Sequence, residues 1–146
     1  MAIWKQHVDL GTVNAWSART LMQALGIRIT EIGDDFLRGT MPVDDRTRQP
    51  YGIPHGGAAV ALAETLGSTA AMLCCENGRA AVGLDINANH LRAVRDGTVT
   101  GTARPIHVGR STQVWEIRIE SEAGELTCIA RLTMAVAPDS AFTLRK

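Results

Sequence analysis

The run from Ala58 to Cys75 limits most strongly what this chain can fold into. Glu64 is its only charge, and alanine, leucine and small polar residues fill most other positions. A helix apolar on nearly all sides has to be enclosed by protein. The run is only marginally long enough to span a bilayer and carries Glu64, Gly67 and Ser68, so it reads as a buried helix.

The flanking segments supply the enclosure. Upstream, Gly26 to Ile32 alternates apolar and polar residues, Gly33-Asp34-Asp35 is a turn signal, and Leu37, Gly39, Met41 and Val43 share one strand face. Together they predict a hairpin. Before it, Asn14 is placed to cap a helix running through Ser17, Leu21, Met22 and Leu25, which Gly26 would end. Downstream, Ala81–Leu91, Thr98–Val108, Thr112–Glu120 and Leu126–Val136 read as four strands, with Asp96-Gly97 and Ala123-Gly124 as hairpin turns. Trp115, Ile117 and Ile119 face one way while Glu116, Arg118 and Glu120 face the other. Hairpin-linked strands make an antiparallel sheet. A curved sheet wrapped round one long central helix meets both demands, an α+β chain of hotdog architecture. Residues 1–137 form a single domain, and 138–146 read as a C-terminal tail without periodicity.

Bulk properties exclude several classes. With 146 residues and 45% hydrophobic content the chain can bury a real core, so global disorder is excluded. Fifteen basic and fifteen acidic residues cancel, leaving no global field for nucleic acid or an anionic membrane. Cys74, Cys75 and Cys128 are too few and too irregular for a disulfide framework or a zinc site, and read as small buried hydrophobes. The N-terminus lacks the long apolar stretch of a signal peptide, so a cytoplasmic location is expected.

Residues 44–57 break the strand pattern with an irregular polar loop holding Gln49, Pro50, Pro54, His55, Gly56 and Gly57. Loops of this kind carry function. Two glycines at a helix start let backbone approach a ligand closely, and the first helical amides lack internal partners. Such amides can hold a developing oxyanion. Gln49 and His55 add hydrogen-bonding groups. Glu64 is costly to bury unless paired or functional. Ser68 lies one turn further along on the same face, where it can bond Glu64 or hold a water. Gly56 and Glu64 are eight residues apart, about 12 Å along one helix. A glutamate cannot cross that gap, so if both groups act on one carbonyl, Glu64 comes from a second copy of the chain.

The other histidines, His7, His90 and His107, have no carboxylates at ligand spacing, so no metal site is expected. Arg92, Arg104 and Arg110 are candidates for the phosphates of a nucleotide tail, though strand arginines are commonly just solvated.

These motifs resemble the acyl-CoA thioesterases of the hotdog superfamily, in the phenylacetate-degradation branch. Within it, similarity runs to enzymes acting on 1,4-dihydroxy-2-naphthoyl-CoA and to the thioesterase that clears mischarged aryl carrier protein in enterobactin synthesis. The resemblance rests on Ile3-Trp4-Lys5, Met41-Pro42-Val43-Asp44, Gln49-Pro50, His55-Gly56-Gly57-Ala58, Leu62-Ala63-Glu64, Gly67-Ser68, Asn87-Ala88-Asn89-His90 and His107-Val108-Gly109, in order from about residue 3 to 136. It implies that Glu64 is nucleophile or general base, and that Gln49 and the Gly56 amide polarise the thioester carbonyl. His55 and Ser68 are then supporting positions. Gly83, His90, Leu91, Arg92 and Ala93, with His107, Val108, Gly109, Arg110, Ser111 and Thr112, would contact substrate and its CoA moiety. The resemblance also implies no metal and no cofactor, CoA being part of the substrate, and homotetramers built from dimers with shared sites. Substrates would be acyl-CoA or acyl carrier protein thioesters with an aryl or medium-chain acyl group. Tyr51 and Ile53-Pro54 stand where these relatives usually have Phe and two leucines, which leaves acyl preference open. A hotdog protein that binds acyl-CoA without hydrolysing it, and a 3-hydroxyacyl thioester dehydratase, are the alternatives.

Overall fold

The computed structural model describes residues 1–142. In chain order the elements are α1 (Leu10–Ala15), α2 (Leu21–Leu25), β1 (Arg28–Ile32), β2 (Leu37–Pro42), α3 (Gly56–Leu73), β3 (Arg79–His90), β4 (Thr98–Val108), β5 (Thr112–Glu120) and β6 (Leu126–Pro138). A short 3-10 turn follows at Asp139–Ala141, inside the expected tail, whose last residues, 143–146, lie outside the described residues. The six strands form one antiparallel sheet in the order β1-β2-β4-β5-β6-β3. Helix α3 packs across its inner face and touches five of the strands. This is the α+β hotdog architecture that the sequence predicts.

The helix lies close to the sheet because of a hole in it. Gly39 of β2 and Gly101 of β4 are direct cross-strand partners. A Cβ added to either would lie 2.7 or 2.5 Å from a methyl group of Leu66. The fully buried Leu66 therefore seats its branched end where two side chains are missing. Gly67, next in the helix, leaves room in the same way for Leu132 of β6. Seating of this kind gives interior packing density and fixes the helix in both height and rotation.

Helix α3 begins two residues before the expected Ala58, because Gly56 and Gly57 are helical and His55 is the N-cap. Its buried face is Ala59, Leu62, Ala63, Leu66, Ala70 and Leu73. The opposite face, with Val60, Ala61, Glu64, Thr65, Ser68 and Met72, is only half-buried. Enclosure within a single chain is thus one-sided.

Two further expectations are corrected. Asp96-Gly97 is not a hairpin turn: β3 pairs with β6 at one edge, while β4 lies between β2 and β5. The chain therefore crosses over between β3 and β4, something a local turn signal does not encode. Ala123-Gly124 does turn a hairpin, with Gly124 at φ +80°. In the N-terminal region Asp9, not Asn14, caps α1, its carboxylate accepting the Thr12 N–H at 2.7 Å. The expected single helix is two short ones.

Asn14 has a different task. Its side-chain amide donates to the Ile29 carbonyl and accepts from the Ile29 N–H, both at 2.8 Å. Ile29 lies on β1, an edge strand, so the amide occupies backbone groups that a further strand would use. At the other edge β3 is long and exposed, with Leu84 at 63%.

Among the described residues, no helix is long and apolar enough to cross a membrane. Cys74, Cys75 and Cys128 are free and buried. Burial pushes all three thiols up, Cys74 to about 11, because a thiolate loses its hydration there.

Replacing Asn14 by Ala strands both Ile29 groups and should cost about 1–3 kcal/mol in urea unfolding, with an unchanged m-value. At pH 8 a disulfide thiol reagent should react slowly with the native protein and release three equivalents once it is unfolded.

Candidate active site

The loop before α3 is organised by Thr47, a fully buried residue that no sequence pattern singles out. Its hydroxyl donates to the Pro42 carbonyl at 2.8 Å and accepts the Asp44 N–H at 3.2 Å. Its carbonyl accepts the His55 N–H at 2.7 Å. The Gln49 N–H donates to the Ile53 carbonyl at 2.9 Å, and the Gly52 N–H to the Gln49 carbonyl at 2.9 Å. Asp44 itself forks onto Arg46, whose guanidinium holds the Asp44 carboxyl below the usual range.

Two side chains in this loop are thereby oriented. The Gln49 Oε1 accepts the Tyr51 N–H. With its oxygen occupied, Gln49 presents the Nε2 amide as a donor. The His55 Nδ1 accepts the Gly57 N–H at 2.8 Å, so the proton of the neutral ring resides on Nε2. The Ala58 and Ala59 amides donate to the His55 carbonyl. Of the amides from His55 to Ala59, only that of Gly56 has no acceptor among the described residues. It stands at the positive end of an eighteen-residue helix.

Gln49 and Gly56 both line a cavity of about 360 Å³. His90, Leu91, Arg92 and Ala93 line it too. The His90 ring lies against Gly56: a Cβ there would be 3.1 Å from His90 Nε2. The cavity continues inward between Met41, Ile53, Val94, Val99, Ile119 and Cys128. Those residues come from strands and loops far apart in sequence, and nothing but the fold assembles them. Burial keeps Cys128 neutral, so it contributes an apolar wall.

Glu64 is not in this cavity. It sits two turns along α3 on the half-buried face, beside edge strand β3. Its Oε1 lies 2.6 Å from where a Gly83 Cβ would be, so Gly83 makes room for the carboxylate. Ser68 does not bond Glu64; its hydroxyl points to the Met134 sulfur at 3.7 Å. The third group lies at the far end of α3. Val108, Gly109 and Arg110 line a second cavity with Lys5, Cys74 and Arg79. Gly109 and Thr112 close the β4–β5 turn through a 2.9 Å bond, with Ser111 inside it and His107 near the end of β4 beside it. Arg104 lines neither cavity, being bonded to Asp35 at 3.0 Å and laid over Phe36. The sequence-selected residues thus form three clusters, at the start, middle and end of one helix about 27 Å long.

The thioesterase superfamily model matches residues 51–128. The chain is 50% identical to the 1,4-dihydroxy-2-naphthoyl-CoA hydrolase of Escherichia coli, over 92% of this chain and 98% of that one. It is 52% identical to the proofreading thioesterase EntH of Cronobacter turicensis, with the same coverage. A crystal structure of a Haemophilus influenzae thioesterase superposes with a TM-score of 0.92 at 51% identity, covering 93% of this chain and 95% of that one. The match spans the end of the loop, α3, β3 to β5 and the start of β6, and the solved relative shares the architecture; the chain belongs to the thioesterase superfamily and is a hotdog-fold thioester hydrolase.

Proposed function

We propose that the protein hydrolyses acyl-CoA thioesters as a homodimer, each active site combining Gln49 and Gly56 of one chain with Glu64 of the other. One observation carries this reading: Glu64 lies about 12 Å along α3 from the free Gly56 amide, on the helix face that its own chain leaves half-covered. A two-fold axis crossing a pair of antiparallel α3 helices near Val60, midway between Gly56 and Glu64, sets each Glu64 opposite the other chain's Gly56. Helices in contact are about 8–10 Å apart, which a glutamate side chain bridges. The long exposed edge of β3 beside Glu64 offers backbone groups for the same pairing.

In this arrangement the acyl group enters the apolar cavity and the thioester oxygen faces the Gly56 N–H and the Gln49 Nε2. Both donors are fixed before substrate arrives, which is what makes such groups effective at a developing oxyanion. Glu64 of the second chain attacks the carbonyl carbon or removes a proton from a water that does. The carbon–sulfur bond breaks, the thiol of CoA leaves with a proton, and water supplies the oxygen of the free acid. No metal or cofactor is required. His55 secures the helix start, and Ser68 acts as a neighbour of Glu64 without bonding it. The turn from His107 to Thr112 of the chain supplying Glu64 then falls beyond the partner's Gly56. Arg110, Arg79 and Lys5 there meet the phosphates of the nucleotide tail.

The cavity lining suits an aryl or medium-chain acyl group, and relatives named for naphthoyl-CoA hydrolysis and for proofreading support that range. Carrier-protein thioesters present the same bond and are the second substrate class. We further propose assembly of two such dimers into a tetramer, and action in the cytoplasm.

Replacing Glu64 by Gln should lower hydrolysis of benzoyl-CoA about a thousandfold with binding retained, and Gln49→Ala about a hundredfold. Free thiol release reads both. Mixing the two inactive variants should restore about a quarter of wild-type activity, since hybrids hold one intact site. Absence of recovery from verified hybrids would remove the shared-site mechanism. Gly83→Ala pushes the Glu64 carboxylate aside and should reduce kcat about tenfold or more while the melting temperature barely moves.

A further inference from the structure

Two walls of the acyl cavity are irregular chain, and one guanidinium joins them. The first wall is the loop carrying Gln49, Ile53 and Pro54; the second is the strap of residues 91–97 that links β3 to β4. The strap is exposed except at Val94, which packs against the core. Its ends are tied to the sheet. The Leu91 and Arg92 amides donate to the Thr127 carbonyl at 2.8 and 3.4 Å, and the Gly97 carbonyl accepts the Val43 N–H at 2.8 Å. Just beyond it, the Thr98 N–H donates to Glu122 Oε1 at 3.0 Å. Gly97 itself is at φ +81°, a conformation that glycine adopts without strain.

Between those ties, residues 93–96 have one hydrogen bond among the described residues. It runs from the Arg48 Nη2 to the Arg95 carbonyl, at 2.8 Å. Arg48 is rooted in the first wall: its N–H donates to the Asp44 carbonyl at 3.0 Å, and it forms an isolated bridge with Pro54. Its remaining ion pair, with Asp45 at 3.4 Å, involves a fully exposed carboxylate and contributes little. A charged donor on a carbonyl belongs to the stronger class of hydrogen bonds. The root is held by backbone bonds, the strap is otherwise loose, and the contact lies just outside the lining, joining the residues next to Gln49 on one wall and next to Val94 on the other.

We propose that Arg48 is a positioning residue that latches the 91–97 strap to the Gln49 loop and thereby sets the width of acyl group the enzyme accepts. This rests on the reading of that cavity as the acyl site. With the latch closed, Leu91 to Val94 stand at a fixed distance from Ile53 and Pro54, so a narrow acyl chain touches both walls. With it open, the strap is held only at its ends and by Val94. A narrow group then loses one wall, while a broad one gains room.

The test uses Arg48→Ala and Arg48→Lys in the full chain, with hydrogen exchange followed by mass spectrometry and kinetics on hexanoyl-, benzoyl- and naphthoyl-CoA. In Arg48→Ala, exchange at residues 93–96 should speed up about tenfold while β5 and β6 keep their protection. KM for hexanoyl-CoA should rise about tenfold, KM for naphthoyl-CoA should change far less, and kcat should stay within about threefold for each. Arg48→Lys keeps a donor and should recover most of both effects. Unchanged strap exchange, an equal KM rise across the series, or a uniform loss of kcat would each overturn the latch. If the wild type hydrolyses none of the three, the acyl-CoA reading fails, and strap exchange alone still decides whether Arg48 holds the strap.

Discussion

Everything chemical in this molecule is referred to the position of α3, and that position is set by Leu66 entering the gap over Gly39 and Gly101. A side chain at either glycine would collide with the Leu66 methyls and force them out of their seat, and rotation of the helix would withdraw them too. Because the seat is near the middle of the helix, both ends are indexed to the sheet at once. Gly56 falls at the cavity mouth and Glu64 against edge strand β3. A non-directional apolar contact therefore determines where directional groups stand. Packing of this sort is stiff enough to do so, since cores at crystal-like density do not deform gradually.

The loop before the helix solves a different problem. Its own hydrogen bonds consume the acceptors and donors that would otherwise compete for substrate: the Gln49 oxygen is taken by Tyr51, and the Gly57 amide by His55. Of its groups, those that line the cavity include the Gly56 N–H and the Gln49 side-chain amide, both donors. A carbonyl oxygen acquiring negative charge in the proposed site would face these two donors. In the proposed site, selectivity for the transition state would arise partly from what the loop has already used up.

Much of this architecture was legible in the residues. β5 alternates cleanly because one face meets the core and the other meets water, and its expected limits, Thr112 and Glu120, match the strand. Limits were less legible at α3, where Gly56-Gly57 looks like loop by composition; the helix starts there because the His55 ring caps it, accepting the Gly57 N–H two residues on. Strand order was not legible at all. β3 and β4 are neighbours in sequence and lie on opposite sides of β5 and β6, and no local signal records a crossover. Asn14 was misread for a related reason: an asparagine near a helix looks like a cap, while its real partner is fifteen residues away on β1. The candidate site residues stand out in the sequence because glycines before a helix and one carboxylate within it are unusual in any chain. The cavity walls were not, because Met41, Val99, Ile119 and Cys128 are ordinary core residues until the fold places them round a space.

The two ends of the sheet differ in a way that bears on how far assembly can go. On β1 the backbone of Ile29 is already spoken for by Asn14, whereas β3 offers a bare ladder. In polymer terms the sheet is monofunctional: it can join once and then has no reactive end. If two sheets join through β3 as proposed, growth by strand addition would terminate at that union, so an exposed edge that would seed fibres in a sheet bare on both sides would here lead to a closed, finite particle.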